Sequence, residues 1–419
     1  MEPAERRNIN NFLNIYNMKI VYCIDFIYTF GGVEIVTILK ANALAKIPGN
    51  QVWLVVTDNK FSTITKQAQV SVIDLAVHYY QHDGEGFWHA VMDNMRMRKI
   101  HQKKLQEILN EIEPDIVIST GRLTKFFLPT LKIHSNPVFI REIHTAKHYK
   151  MQDARVWKEK LVAEVGEIYD YGWKIKRYDK IVVLTDAEKT GSWEHWNKVA
   201  VIPNPLTHVP KQASTLENKI VITAGRLVRT KNFSSLINAW AQVVERHPDW
   251  ELQIWGVGDL QEQLKNQIKQ MGLTGSAHLM GYSTEILNEF SKASIFVSSS
   301  ISEGFSLATL EAMSVGVPTV VYECLGGISH LVKNRVTGYL VPLNDEKALA
   351  ERVCTLIEDE GLRRTMGQAA LKESEKYKLD SIIQRWMALF QELLAEKRGT
   401  KKYKRKYGSN LFVSCSHER

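Results

Sequence analysis

Cysteine is scarce in this chain, with four in 419 residues, at 23, 324, 354 and 415, and no C-x-x-C spacing among them. That excludes a disulfide-stapled secreted scaffold and points to a reducing, cytoplasmic compartment. No stretch approaches the roughly 18 consecutive apolar residues of a spanning helix, and the N-terminal MEPAERRNINNFLN has no apolar signal core. No two aspartates stand two apart, so a D-x-D loop for a divalent cation is missing. Broadly distributed positive charge is missing too. The net charge of +8 is concentrated in KRGTKKYKRK at 397–406, which holds seven basic residues and no acidic one. Interleaved with Tyr403 and Tyr407, this tail fits either an anionic lipid surface or a solubilising end. No nucleic-acid fold signal accompanies it, so nucleic acid is not expected as a partner.

At 419 residues and 44% apolar, the chain exceeds one ordinary core and suits two domains. Short apolar runs at 19–24, 52–57, 72–77, 115–119, 137–141 and 180–184 alternate with helical patterns at 33–46 and 88–112. After a proline-bearing polar stretch the alternation restarts, with runs at 220–224, 251–255, 277–279, 293–297 and 318–321 and helices at 346–358, 362–376 and 379–397. Such alternation implies parallel sheets. The expected organisation is an arm at 1–17, a first domain at 18–202, a linker at 203–218, a second domain at 219–377, a closing helix at 378–396 and the tail at 397–419. The 88–112 helix carries a stripe that includes Trp88, Val91, Met92, Met95, Leu105 and Leu109, with Arg96, Arg98, Lys99, Lys103 and Lys104 at other positions. It reads as a sheet-covering helix with a solvated basic face, or as a membrane-surface helix.

Two glutamates, Glu303 and Glu311, straddle a loop-to-helix junction in ISEGFSLATLEAMSVGVPTVV. Ser306 opens a helix with Leu307, Leu310 and Met313 apolar. The N–H groups of Ser306 and Leu307 would point at an anion, with Glu311 about one and a half turns in, roughly 7 Å along the axis. A sugar nucleotide needs that layout: one acceptor for sugar hydroxyls, donors for the diphosphate, and another acceptor for ribose. Upstream, in ITAGRLVRTKN at 222–232, an apolar strand ends in Gly-Arg and leaves Arg226 and Lys231 on the following loop. Open α/β sheets bind ligands there, and a guanidinium with an ammonium suits a diphosphate leaving group. With Ile202-Pro203-Asn204-Pro205 before it and EGFSLATLEA after it, the pattern resembles the family 4 retaining glycosyltransferases of GT-B architecture. The resemblance runs from Met18 to about Leu394 and is densest between Val201 and Pro342.

This resemblance implies an α/β fold of two doubly wound Rossmann-like domains facing a cleft, with the closing helix returning to the first domain. It implies catalytic roles for Glu303, Arg226, Lys231 and His144, and donor binding by Gly31, Gly32, Gly304, Phe305, Ser306, Leu307, Glu311 and Tyr282. His144 follows a strand in REIHT, with Lys147 and His148 nearby, and the adjacent Gly31 and Gly32 let backbone amides approach a ligand. In the loop Gly326-Gly327-Ile328-Ser329-His330, His330 stands where many members of the family carry an acid. Gly256-Val257-Gly258 lacks the third glycine of a dinucleotide fingerprint, Gln261 holding that place, so an NAD reading loses its support. The implied reaction moves a hexosyl or N-acetylhexosaminyl unit, with retention, from a UDP- or GDP-sugar to a saccharide or lipid-linked saccharide in surface polysaccharide synthesis. No cofactor and no metal are expected, because Arg226, Lys231 and helix N-termini can neutralise the diphosphate. The alternatives are a nucleotide-sugar epimerase of similar fold and a non-catalytic partner subunit. The expected location is cytoplasmic, with peripheral attachment to an anionic membrane surface left open.

Overall fold

The computed structural model describes residues 17–26, 31–58, 68–79, 87–145, 175–397 and 399. The arm at 1–16, Tyr28 to Phe30 of the glycine loop, Lys147, His148, and the tail beyond Lys397 other than Gly399 lie outside the described residues, as do the side chains of Trp88 and Val91. By packing, the chain divides into two units. The first comprises 1–142, 171–181 and 383–419, and the second 143–170 and 182–382. The expected boundary at 202 differs, since residues 143–145 and 182–202 count with the second unit, while the chain from Ile383 counts with the first, the domain to which the closing helix is expected to return.

In chain order the elements begin with β1 Lys19–Phe26, α1 Gly32–Ala45, β2 Gln51–Asp58, β3 Ser71–Asp74, α2 Phe87–Ile112, β4 Ile116–Ser119, β5 Val138–Glu142, β6 Lys180–Val183, α3 Asp186–Ser192 and β7 Val199–Val201. The strands form a sheet in the order β3-β2-β1-β4-β5-β6-β7, parallel from β3 through β5. Continuous apolar runs drive this arrangement. Ile20 to Ile24 of β1 are all buried, as strands covered on both faces must be.

The second half comprises β8 Ile220–Ala224, α4 Phe233–Arg246, β9 Glu251–Trp255, α5 Gln261–Gln270, β10 Ala277–Gly281, α6 Ile286–Phe290, β11 Ile295–Ser298, β12 Ser302–Glu303, α7 Leu307–Ser314, β13 Thr319–Tyr322, β14 Leu325–Gly326, α8 Ile328–Leu331 and β15 Gly338–Val341. Helices α9 Glu346–Glu358, α10 Glu360–Ser374 and α11 Leu379–Lys397 complete the chain. A second, wholly parallel sheet runs β10-β9-β8-β11-β13-β15, and β12 pairs separately with β14. Strand order reverses between β8 and β11, which makes the loops after those two strands a topological switch point. The core here gathers apolar residues of α4, the sheet and α9, including Ile237, Trp240, Leu252, Ile254, Val320 and Leu349.

Helix α11 buries Ile382, Trp386, Leu389, Phe390 and Leu393 along one face, and from Ile383 onward it belongs to the first unit. In α2 the expected stripe is corrected. Leu105, Leu109 and Ile112 are buried, and His101 is buried with them, but Met92 and Met95 are 70% and 61% exposed. By helical spacing Met92 lies on a different side of the helix from the buried Leu105 and Leu109. Among the described residues no helix is long and apolar enough to cross a membrane.

Candidate active site

The second unit places Arg226 and Lys231 on the loop after β8, and Glu303 on the loop after β11. Because β8 and β11 are neighbours in the sheet, both loops leave the same edge. Lys231 Nζ lies 2.5 Å from Glu303 Oε1, and Ser300 Oγ donates to the same oxygen at 2.7 Å. Two further bonds join the loops: Ser299 Oγ to the Lys231 carbonyl at 2.9 Å, and the Ile301 N–H to the Thr230 carbonyl at 2.9 Å. Arg226 is exposed beside them.

Glycines make the close approaches possible. A Cβ on Gly256, whose φ is +139°, would lie 1.9 Å from the Gly225 carbonyl oxygen, and one on Gly258 would lie 2.6 Å from that of Leu227. The loop after β9 can therefore press against the Arg226 loop, with the Gly225 N–H bonded to Trp255 O at 2.9 Å and the Leu227 N–H to Val257 O at 2.9 Å. Gly256-Val257-Gly258 is thus a backing for the cationic loop, a role that its failed dinucleotide fingerprint did not disclose. The loop after β10 joins the same array, since the Gly256 N–H donates to Gly281 O at 2.7 Å, with the exposed Tyr282 next in the chain.

Strand β12 pairs Glu303 with Gly326, and the Gly327 N–H donates to Glu303 O at 2.9 Å. Gly304 sits between two backbones. Its Cβ would meet His144 O at 2.1 Å, while a Cβ on Gly327 would meet Gly304 O at 2.5 Å. His144 and Gly304 thus come together through main chain. His330 Nδ1 lies 3.8 Å from Asp186 Oδ2.

Phe305 packs its side chain into the core. It is buried beside Leu310, Met313 and Cys324, with its ring 5.7 Å from that of Tyr377, so any ligand contact it makes runs through its backbone. Ser306 occupies the N-cap position of α7 without a side-chain bond to its backbone and is itself buried, its Oγ accepting a hydrogen bond from Thr309 at 2.8 Å. Leu307, the first residue of α7, is half-buried.

Glu311, in the middle of α7, accepts a hydrogen bond from Thr207 Oγ1, which is 3.0 Å from His208 Nδ1. Burial pushes its carboxyl up to about 7, and the Thr207 hydrogen bond works against that rise. The two glutamates therefore differ: Glu303 is paired with a lysine, whereas among the described residues Glu311 has only hydroxyl help. Thr207, Ser299 and Ser300 gave no sequence signal, since a hydroxyl several residues from a charge has no spacing rule. Gly31 and Gly32 belong to the first unit, Gly31 at the N-cap of α1 and Gly32 as its first residue. Among the described residues no group of His, Cys, Asp or Glu is arranged to hold a metal ion.

Residues 207–373 match the family Glycosyl transferases group 1. The chain is 28% identical over 375 residues to an uncharacterized glycosyltransferase of Haemophilus influenzae, spanning 88% of this chain and 99% of that one. It is 30% identical over 207 residues to the poly(glycerol-phosphate) alpha-glucosyltransferase of Bacillus subtilis, which covers 49% of this chain but only 31% of the relative. Among solved structures, HepE from Anabaena in complex with UDP and glucose superposes with a TM-score of 0.71 at 18% identity, covering 90% of this chain and all of that one. The fold is GT-B, and the matches support a group 1 glycosyltransferase.

Proposed function

We propose that this chain is a metal-independent, retaining family 4 glycosyltransferase that moves a hexosyl or N-acetylhexosaminyl unit from a nucleotide diphosphate sugar to a saccharide or lipid-linked saccharide in surface polysaccharide synthesis. The observation that carries the proposal is the Lys231–Glu303 pair at the switch point, with Ser300 on the same carboxylate and α7 beginning four residues later. UDP is the favoured base carrier over GDP, because a structural neighbour holds UDP and glucose.

In the reaction the donor diphosphate draws Lys231 away from Glu303 and engages Arg226 and the N–H groups that open α7. Glu303, released from its lysine, accepts hydroxyl hydrogens of the sugar. The bond between the anomeric carbon and the diphosphate oxygen breaks, leaving an oxocarbenium-like sugar. An acceptor hydroxyl attacks from the face the diphosphate leaves, and its proton passes to the departing phosphate oxygen. Glu311 accepts from the ribose, and Tyr282 lies where the base rests. His144, held by its backbone against Gly304, meets the sugar or its leaving oxygen.

The reading extends to location at the cytoplasmic face of a membrane. Its support is the exposed Met92 and Met95 beside Arg96, Lys99 and Lys103 on one side of α2, and the basic tail in the sequence. A chain ending at Glu396 should lose co-sedimentation with anionic vesicles while retaining activity on a soluble acceptor. Salt-resistant binding by the shortened chain would assign attachment to α2 instead of the tail. The catalytic reading is tested by a thermal-shift screen against UDP-, GDP- and ADP-sugars. A ligand at 100 times its dissociation constant adds about 2.7 kcal/mol to stability, and the largest shift is expected with a UDP-sugar. No shift with any of them contradicts the reading.

A further inference from the structure

The first unit holds an ion pair that the reaction above does not use. Lys40, in the middle of α1, and Glu142, the last residue of β5, are each only 1% exposed and bonded to one another, Lys40 Nζ to Glu142 Oε1. The ammonium also lies 4.9 Å from the ring of Trp386 on α11 and 5.9 Å from that of Tyr22 on β1. Burial lowers the affinity of Lys40 for its proton, with Glu142 opposing, and raises Tyr22 well above its ordinary range. Among the described residues, neither Tyr22 Oη nor Trp386 Nε1 has a hydrogen-bond partner.

Such a cluster is a poor device for stability. Taking two charges out of water costs several kcal/mol per ion, and well-packed apolar replacements of a buried pair are often neutral or stabilising. The unmatched Tyr22 and Trp386 atoms weaken the network further. What the pair does supply is register. Lys40 lies eight residues, about 12 Å, along the helix that begins at Gly32. Glu142 lies two residues before His144, whose carbonyl oxygen abuts Gly304 beside Glu303. One contact thus fixes the helix that carries the glycine loop and the strand end that leads to the histidine. Trp386, one turn into the first-unit part of α11, closes the cluster.

We infer that Lys40 and Glu142 are positioning residues for transfer, setting α1 against the end of β5, from which the chain runs on to His144, rather than stabilising the fold. This rests on the transferase reading. The test replaces both charges with Met, as Lys40→Met/Glu142→Met, and measures melting temperature, UDP binding by calorimetry and steady-state transfer. The double variant should melt at or above the parent temperature and bind UDP as the parent does. Its kcat should fall on the order of 10²-fold, the cost of misplacing a reacting group by about 1 Å, with donor KM little changed. A Lys40→Arg variant keeps the charge but moves it, and serves if the double variant does not fold; its kcat should fall with UDP binding intact. Parent-like kcat in either folded variant overturns the inference. Absence of transfer by the parent chain would count against the transferase reading instead.

Discussion

The two units use one architecture, a mostly parallel doubly wound sheet, but place their charges differently. In the second unit Lys231 and Glu303 stand at the strand ends, 24% and 11% exposed, where a ligand can replace either partner. In the first unit Lys40 and Glu142 are sealed among Tyr22 and Trp386. Equivalent chemistry therefore has opposite consequences. On the proposed function the pair at the rim is exchanged for a diphosphate, whereas the pair in the interior holds its elements together.

Single substitutions separate the two sites most sharply. Lys40→Met alone strands the Glu142 carboxylate in the core and should lower unfolding free energy by about 3–5 kcal/mol in denaturant titration. Lys231→Met should lower it by about 1 kcal/mol or less, since partly exposed pairs contribute little. A similar loss of stability at both positions would erase the contrast.

Turnover should rank them the other way around. If the proposed reaction holds, Lys231→Ala or Arg226→Ala removes a donor aimed at charge that grows in the transition state, and kcat should fall about 10²- to 10³-fold. Unchanged kcat in both variants would remove the diphosphate role from this loop.

Glu311 gives a smaller, pH-dependent effect. Its carboxyl titrates at about 7 when folded against 4.5 ordinarily, so between those values the folded state binds more protons than the unfolded chain. Its contribution to stability therefore declines as pH rises from 4.5 to 7 and is constant above. Only the ionised form accepts from both ribose hydroxyls without donating, so donor KM should fall as pH rises through about 7. Glu311→Gln should flatten both profiles. The smallest expected effect belongs to Thr207→Val, which deletes a hydrogen bond worth about 1 kcal/mol and moves the midpoint of the KM profile upward.

Much of this contrast was legible in the sequence on one side only. The strands β8 and β11, the helices α7 and α9, and the residues Arg226, Lys231, Glu303 and Glu311 all announce themselves by local pattern: an apolar run, a polar loop and a helix start. Strand β15 escaped because GYLV is too short to stand out, and β12 because two residues pair only through their partner β14. The Lys40–Glu142 pair was invisible for a deeper reason. Its members are 102 positions apart, and each reads as an ordinary surface residue until the topology brings them inside. The α2 stripe shows the opposite failure, in which the apolar stripe is extended to the exposed Met92 and Met95, the former on another side of the helix from the buried Leu105 and Leu109.

The most direct test of the account is UDP release by the purified chain from a UDP-sugar, with and without a saccharide acceptor, in the parent and in Lys231→Ala. The account predicts release that rises with acceptor concentration, forms a retained glycosidic product and falls about 10²- to 10³-fold in the variant. Conversion of the UDP-sugar to an epimer without acceptor, or release that is the same in parent and variant, would contradict it.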